Sequence, residues 1–212
     1  MAIKGAVLGD ILGSQYEFNR PKNLDWQNIP LIIDDKAKFT DDSVMMLAIK
    51  KALVEDNDLV ETMVDVGQQY PFCGYGAKFF SWINGKKHQP YNSWGNGSAM
   101  RVAFVGDFYE DYDEMQAMAA KTAEVSHNHP EGIKGAVVTA TCIWMAKRGK
   151  SKQEIYDYVL SELRSGNHSD AGFSCGFGME GGCDPEVHHN TGICELYSFA
   201  CRRSYLFAYH NE

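Results

Sequence analysis

The sequence predicts an all-α fold, and three observations carry that prediction. Apolar residues recur at three and four positions in successive stretches, helix-start signals stand at the heads of several of them, and no convincing alternating run of β-branched residues is present. Near the start, Gly5, Gly9 and Gly13 recur at intervals of four. On a helix they share a face and let a neighbour come close, at a cost of roughly 1 kcal/mol each relative to Ala. Glu17 lies four residues further along that face, where a carboxylate in close packing calls for a cationic partner. From Ser43 to Val54, the apolar positions Val44, Leu47, Ala48 and Ala52 follow helical spacing with Lys50 off that face. A further helix is predicted from Tyr112 to about Val125, on Met115, Met118, Ala119 and Thr122. Pro130 suits the first turn of one running through Ala136, Val137, Ala140 and Ile143 toward Lys147, with Gly149 as its stop. Ser151-Lys152-Gln153-Glu154 is a capping box that opens the next, with Ile155, Tyr158, Val159 and Leu163 on one face and Gly166 past its end.

A chain of 212 residues with 44% hydrophobic residues is long enough for one well-buried core and short for two. The formal charge of −8, with Lys and Arg scattered, argues against a nucleic-acid or anionic-membrane binder, because those functions need clustered cations. The apolar run at the N-terminus is broken by Asp10 and is not the pattern of a signal peptide. No stretch approaches the roughly 18 uninterrupted apolar residues of a membrane span. The expected location is the cytoplasm.

Four segments combine small residues with polar groups. In Phe39-Thr40-Asp41-Asp42-Ser43-Val44-Met45-Met46, a Thr and two carboxylates stand where a helical run begins. Three hard oxygens there suit Mg²⁺ or Ca²⁺, but Thr and Asp are equally good helix caps, and acids in a first turn are favoured by the helix dipole. Gly9-Asp10-Ile11-Leu12-Gly13-Ser14-Gln15-Tyr16-Glu17 precedes it, and Asp10 there is read as structural, holding backbone or an Arg. Gly95-Asn96-Gly97-Ser98-Ala99-Met100-Arg101 reads either as an ordinary turn or as a loop whose backbone N–H groups hold a diphosphate at a helix start. Met100 and Arg101 are read as internal supports. Ser126-His127-Asn128-His129-Pro130-Glu131-Gly132, followed by Gly135-Ala136, carries two histidines beside a helix start. Without a Cys or third His at the usual spacing, a zinc half-site is the weaker reading, and His127 suits a donor near a phosphate. His129, before Pro130, is read as a cap or solvent residue.

In this order the four segments resemble the ADP-ribosylglycohydrolase family, which includes the dinitrogenase-reductase-activating glycohydrolases. The resemblance implies a compact orthogonal multi-helix bundle over about residues 1–173, truncated or altered at the C-terminus. It implies two Mg²⁺ ions held by Thr40, Asp41 and Asp42, with Glu17 as ligand or as base for the attacking water and Asp41 in the catalytic set. It assigns Asn96, Gly97, Ser98 and His127 to ligand contact, and places Tyr75 and Gly76 near the ribose. The implied activity is hydrolysis of the bond to the anomeric ribose carbon of an ADP-ribosylated protein or small ADP-ribosyl conjugate. The alternative is a catalytically incompetent relative that only binds ADP-ribosyl groups, because half of a binuclear site is missing.

That alternative arises from the C-terminal part. The family supplies the other half of its metal site from a late Asp-x-Asp-Thr segment, where this chain has Gly181-Gly182-Cys183-Asp184-Pro185-Glu186. Ligand roles are therefore not carried onto Asp184 or Glu186. Residues 174–212 form an atypical Cys/His-rich tail, with Cys175, Cys183, Cys194, Cys201, His188, His189 and His210 but no Cys-x-x-Cys pair. A frame change or replaced terminus is the more economical expectation for it than a zinc module.

Overall fold

The computed structural model describes residues 2–17 and 35–164. Nine helices and no strand are found among the described residues: α1 (Ala2–Glu17), α2 (Asp41–Glu55), α3 (Leu59–Gln69), α4 (Ala77–Asn84), α5 (Gly97–Met100), α6 (Ala103–Phe108), α7 (Tyr112–Glu124), α8 (Pro130–Lys147) and α9 (Lys152–Arg164). The fold is all-α, as the periodicities predict.

Helix starts follow local chemistry. Thr40 caps α2, its side chain accepting from the Asp42 amide, and Asp41 and Asp42 occupy the dipole-favoured first turn. Asp58 caps α3 by accepting from the Glu61 amide, and Asp111 caps α7 by accepting from that of Glu114. At α8, His129 Nδ1 accepts from the Glu131 amide while Pro130 takes the first helical position. The box at α9 closes both ways: Ser151 N donates to Glu154 Oε2 at 2.8 Å and Glu154 N to Ser151 Oγ at 3.2 Å. Gly149, at φ +75°, lies just past α8 in a conformation other residues rarely adopt. Gly166 and the side chain of Leu163 lie outside the described residues.

Helix α8 is central, packing against α5, α6, α7 and α9, while α2 packs against α1, α3, α5 and α6. The main core joins Met45 and Ile49 of α2, Met63 of α3, Trp82 and Ile83 of α4, Met115 and Ala119 of α7, and Ala136 and Ala140 of α8. Small residues set the spacing here. A Cβ on Gly106 of α6 would collide with the Ala140 carbonyl of α8, so these helices approach backbone to backbone. Ala2, Ile3, Ala6 and Val7 of α1 pack against Met46, Ala103 and Ile143. The apolar face of α2 differs from expectation at one position: Leu47 is 46% exposed, and Met45 and Ile49 are buried in its place. The buried face follows the i, i+4 rows Val44–Ala48–Ala52 and Met45–Ile49, and Leu47 lies about 100° around the helix from Ala48. Helices α3 and α4 lie in a stretch where the periodicity reading placed none.

Candidate functional site

The N-terminus of α2 is built on Asp10, a carboxylate of α1 that is 1% exposed. Its Oδ1 accepts the Thr40 hydroxyl at 2.6 Å, and its Oδ2 accepts from Thr40 N at 2.8 Å, Ser43 N at 3.2 Å and Ser43 Oγ at 2.6 Å. Asp10 therefore ties α1 to the first turn of α2 and is structural, holding backbone and hydroxyls. It also orients Thr40. Because the hydroxyl proton goes to Asp10, Thr40 Oγ1 turns its lone pairs the other way, one of them toward Asp42 N at 3.3 Å.

The two carboxylates that follow, Asp41 and Asp42, are half-buried. Asp41 N donates to the Cys73 carbonyl at 2.7 Å, which brings the 73–76 segment to the head of α2. Gly74 there has φ +95°, and a Cβ on it would stand 3.7 Å from Asp41 Oδ1. The Tyr75 hydroxyl is buried without a hydrogen-bond partner among the described residues. Burial first, then Cys73 and the Asp41 charge, push its pKa well above the usual tyrosine range. The Cys73 thiol is pushed up for the same reasons, burial first, then Asp41 and Asp10. Gly76 caps α4 in an ordinary conformation, and a Cβ there would meet nothing within 4 Å. So Thr40, Asp41, Asp42, Tyr75 and Gly76, chosen from separate stretches of sequence, share one neighbourhood.

A second cluster forms around His127. A Cβ on Gly97 would stand 2.8 Å from His127 Nε2 and 2.9 Å from Cε1, so the imidazole lies directly against the glycine turn. His127 is 4% exposed, and its Nδ1 lies 2.8 Å from Ser126 Oγ. Burial first, then the Arg101 guanidinium, push its pKa down to about 3, so the ring is neutral at physiological pH. Asn96 is exposed at the turn. Ser98 is buried and its hydroxyl donates to the Gly132 carbonyl at 2.7 Å, anchoring α5 to α8. Any ligand contact by Ser98 is thereby left to its backbone N–H, which lies in a first helical turn and has no intrahelical acceptor.

Arg101 is fully buried and supports this cluster, as expected of it. Its Nη2 donates to the Thr122 carbonyl at 2.6 Å and to Ser126 Oγ at 3.0 Å, and its carbon centre lies 5.7 Å from the Phe79 ring centroid. Burial lowers its pKa to about 10, which still leaves it charged near neutrality. Phe79 also stands 5.9 Å from Tyr75, ring to ring, so one aromatic side chain bridges the two clusters. Residues the sequence reading missed are Cys73, Phe79, Tyr91 and Ser126. Ser126 opens a quoted segment and the other three lie outside the motifs, and each takes its role from a side-chain or backbone contact, such as the 5.8 Å ring contact of Tyr91 with His127.

The donor set at α2 fits a hard divalent cation in kind: one hydroxyl oxygen with its proton directed away, and two carboxylates. In number it is partial. Among the described residues no group of three or more His, Cys, Asp or Glu is placed to hold a metal ion. Mg²⁺ commonly keeps several waters and takes only one or two carboxylates, so a partial protein shell is compatible with it. Glu17 ends α1, but its side chain lies outside the described residues, as do Asp184, Glu186 and the whole Cys/His-rich tail. No helix among the described residues is long and apolar enough to cross a membrane.

Human ADP-ribosylhydrolase ARH3 is 28% identical over 183 residues, covering 72% of this chain and 50% of its own length. The Gallus gallus ARH3 is 25% identical over 201 residues, covering 76% of this chain and 53% of its own. The chain thus spans about half the length of the curated relatives it matches. A model of the family described as ADP-ribosylglycohydrolase matches residues 1–191, running past residue 173, where the motif resemblance stops, and taking in both clusters. The chain belongs to the ADP-ribosylglycohydrolase family.

Proposed function

We propose that this chain is a Mg²⁺-dependent hydrolase that removes ADP-ribose from a modified protein side chain or a small ADP-ribosyl conjugate. The observation that carries the proposal is the buried Asp10 taking the Thr40 hydroxyl proton at 2.6 Å, which leaves that oxygen's lone pairs facing away from Asp10 at a helix start that also carries Asp41 and Asp42. For a cap alone, the Thr40 contact to Asp42 N would suffice.

Thr40, Asp41 and Asp42 would hold the metal. Bound Mg²⁺ would supply polarisation of the ribose hydroxyls and a lowered pKa for water at the site. The residues do the rest. As the bond at the anomeric carbon breaks, positive charge builds on the ribose, and the carboxylates at the head of α2 favour that charge. Glu17 is assigned either as a further ligand or as the base that takes the proton of the attacking water. The Gly97 turn, with Asn96 and the Ser98 amide, would hold the diphosphate with backbone N–H groups, and His127 would add a neutral donor. The unpartnered Tyr75 hydroxyl beside Asp41 suits a ribose oxygen.

The binding-only alternative is favoured by one specific observation, the Gly181-Gly182-Cys183-Asp184-Pro185-Glu186 sequence where the family carries its late Asp-x-Asp-Thr segment. Hydrolysis of ADP-ribosyl-arginine or O-acetyl-ADP-ribose with added Mg²⁺ separates the two, with Asp41→Ala as the control. Turnover abolished by that substitution supports the hydrolase. Measurable ADP-ribose binding with no turnover supports the alternative, and neither binding nor turnover removes both.

A further inference from the structure

We propose that Arg101 and Ser126 are positioning residues that lock His127 into the neutral tautomer with its proton on Nε2, the nitrogen that faces the Gly97 turn. Ser126 Oγ stands between them, 3.0 Å from Arg101 Nη2 and 2.8 Å from His127 Nδ1. All three residues are buried, with Arg101 and Ser126 at 0% exposure. A guanidinium can only donate, so the serine oxygen accepts from Arg101. The one hydroxyl proton then goes to Nδ1, the other partner of that oxygen. Were Nδ1 protonated, Ser126 would accept from both sides and its own proton would be buried without an acceptor among the described residues, which costs the desolvation of a polar group. An imidazolium fails on the same count, and adds a second cation beside Arg101. With Nδ1 an acceptor, the ring proton sits on Nε2.

The relay is anchored at its far end. Arg101 Nη2 donates also to the Thr122 carbonyl at 2.6 Å, and the guanidinium lies over the Phe79 ring. Its direction matters because Nε2 is the edge pressed against Gly97, 2.8 Å from where a Cβ would stand. The serine thus sends a hydrogen-bond donor, rather than a lone pair, toward the glycine turn. This role rests on the proposed ADP-ribose site, in which a lone pair facing diphosphate oxygens would repel and an N–H would bind.

The test uses the full chain, labelled with ¹⁵N, in long-range ¹H–¹⁵N spectra at neutral pH without ligand, the His127 pattern being assigned by its loss in His127→Gln. The expected pattern is that of the Nε2–H tautomer in the wild-type chain. Ser126→Ala is expected to move it toward a mixture and to weaken ADP-ribose binding in Mg²⁺ roughly tenfold. A wild-type pattern of Nδ1–H or of imidazolium overturns the proposal, as does a folded Ser126→Ala chain whose pattern is unchanged. Should Ser126→Ala not fold, the wild-type pattern alone decides. A wild-type chain with the Nε2–H pattern that binds no ADP-ribose would remove the functional reading while leaving the lock in place.

Discussion

The head of α2 and the pocket around His127 are opposites in electrostatic design. At the first, acceptors predominate: Asp10, Asp41 and Asp42 crowd one helix start, and the Thr40 hydroxyl gives its proton to Asp10 so that its lone pairs face the other way. At the second, donors and neutral groups predominate, with a buried guanidinium, a serine relay and an imidazole kept uncharged. Phe79, touching both Tyr75 and Arg101, separates them with an aromatic ring. A ligand made of a ribose next to a diphosphate needs both kinds of surface, one to hold cations and one to meet phosphate oxygens without a dense patch of Lys and Arg. In a chain of net charge −8, that division is what would let the proposed anionic ligand bind.

The largest expected effect lies at the acidic end. Asp41→Ala removes a proposed ligand, and activity should fall by more than the roughly 10–100-fold typical of losing an outer partner of a metal ligand. Its unfolding midpoint in urea should stay near that of the parent, since the Asp41 side chain is half-buried. Full activity in Asp41→Ala would show that the acidic cluster is only a cap.

Asp10→Asn strikes the same region from behind. With the amide nitrogen in the place of Oδ1, the Thr40 hydroxyl must reverse and accept instead of donating, and the Thr40 and Ser43 groups on Oδ2 lose a charged acceptor for a neutral one. The expected loss is about 2–4 kcal/mol of stability, read from urea unfolding. Mg²⁺ affinity should fall with it, because Thr40 loses its orientation.

These contacts also mark what sequence reading could and could not see. Helices α8 and α9 were legible because their signals are local: Pro130 at a first turn, and Ser151 with Glu154 three residues on. The role of His129 as a cap was legible for the same reason, being tied to residue type and position. Helix α3 carries a start signal of equal quality, Asp58 accepting from Glu61 N with Leu59 and Met63 buried, but Gly67 and the polar Gln68-Gln69 weaken its period. The Asp10–Thr40 bonds span 30 residues and the Arg101–Ser126 bond 25, distances at which no spacing rule operates. Sequence therefore identified members of both clusters but not what connects them.

At the neutral end, Gly97→Ala is expected to act through His127. The new methyl would stand 2.8 Å from Nε2, and the ring is held from behind by Ser126, so it has little room to yield. A destabilisation of about 1–3 kcal/mol is expected from overpacking, with loss of the His127 tautomer pattern.

The pH dependence of stability gives a smaller, directional check on the same ring. Its folded pKa, about 3, is below the 6.5 of an exposed histidine, so between those values the unfolded chain binds more protons. Stability from this group is therefore complete above about pH 6.5 and is lost as pH falls toward 3, with a slope of at most about 1.4 kcal/mol per pH unit. The difference between the wild-type chain and His127→Gln, followed by urea unfolding from pH 7 to 5, isolates this contribution. A difference that is flat or that grows in the opposite sense would mean the ring is open to protonation.

The smallest structural effect is expected at Gly76, and its smallness makes it useful. Gly76 sits at φ −58° and ψ 144°, which any residue adopts, and an added Cβ meets nothing within 4 Å. Gly76→Ala should therefore leave stability within about 0.5 kcal/mol of the parent, the range of substitutions that disturb no buried feature. Gly97→Ala changes the protein and the ligand surface together, whereas Gly76→Ala changes only the space in front of the chain. If ribose lies against this backbone, ADP-ribose affinity falls several-fold with no change in urea midpoint, because the methyl occupies volume that only the ligand needs. If affinity and midpoint are both unchanged, the ribose does not approach the cap of α4, and the acidic cluster must meet the ligand from the side of α1, where Glu17 ends that helix.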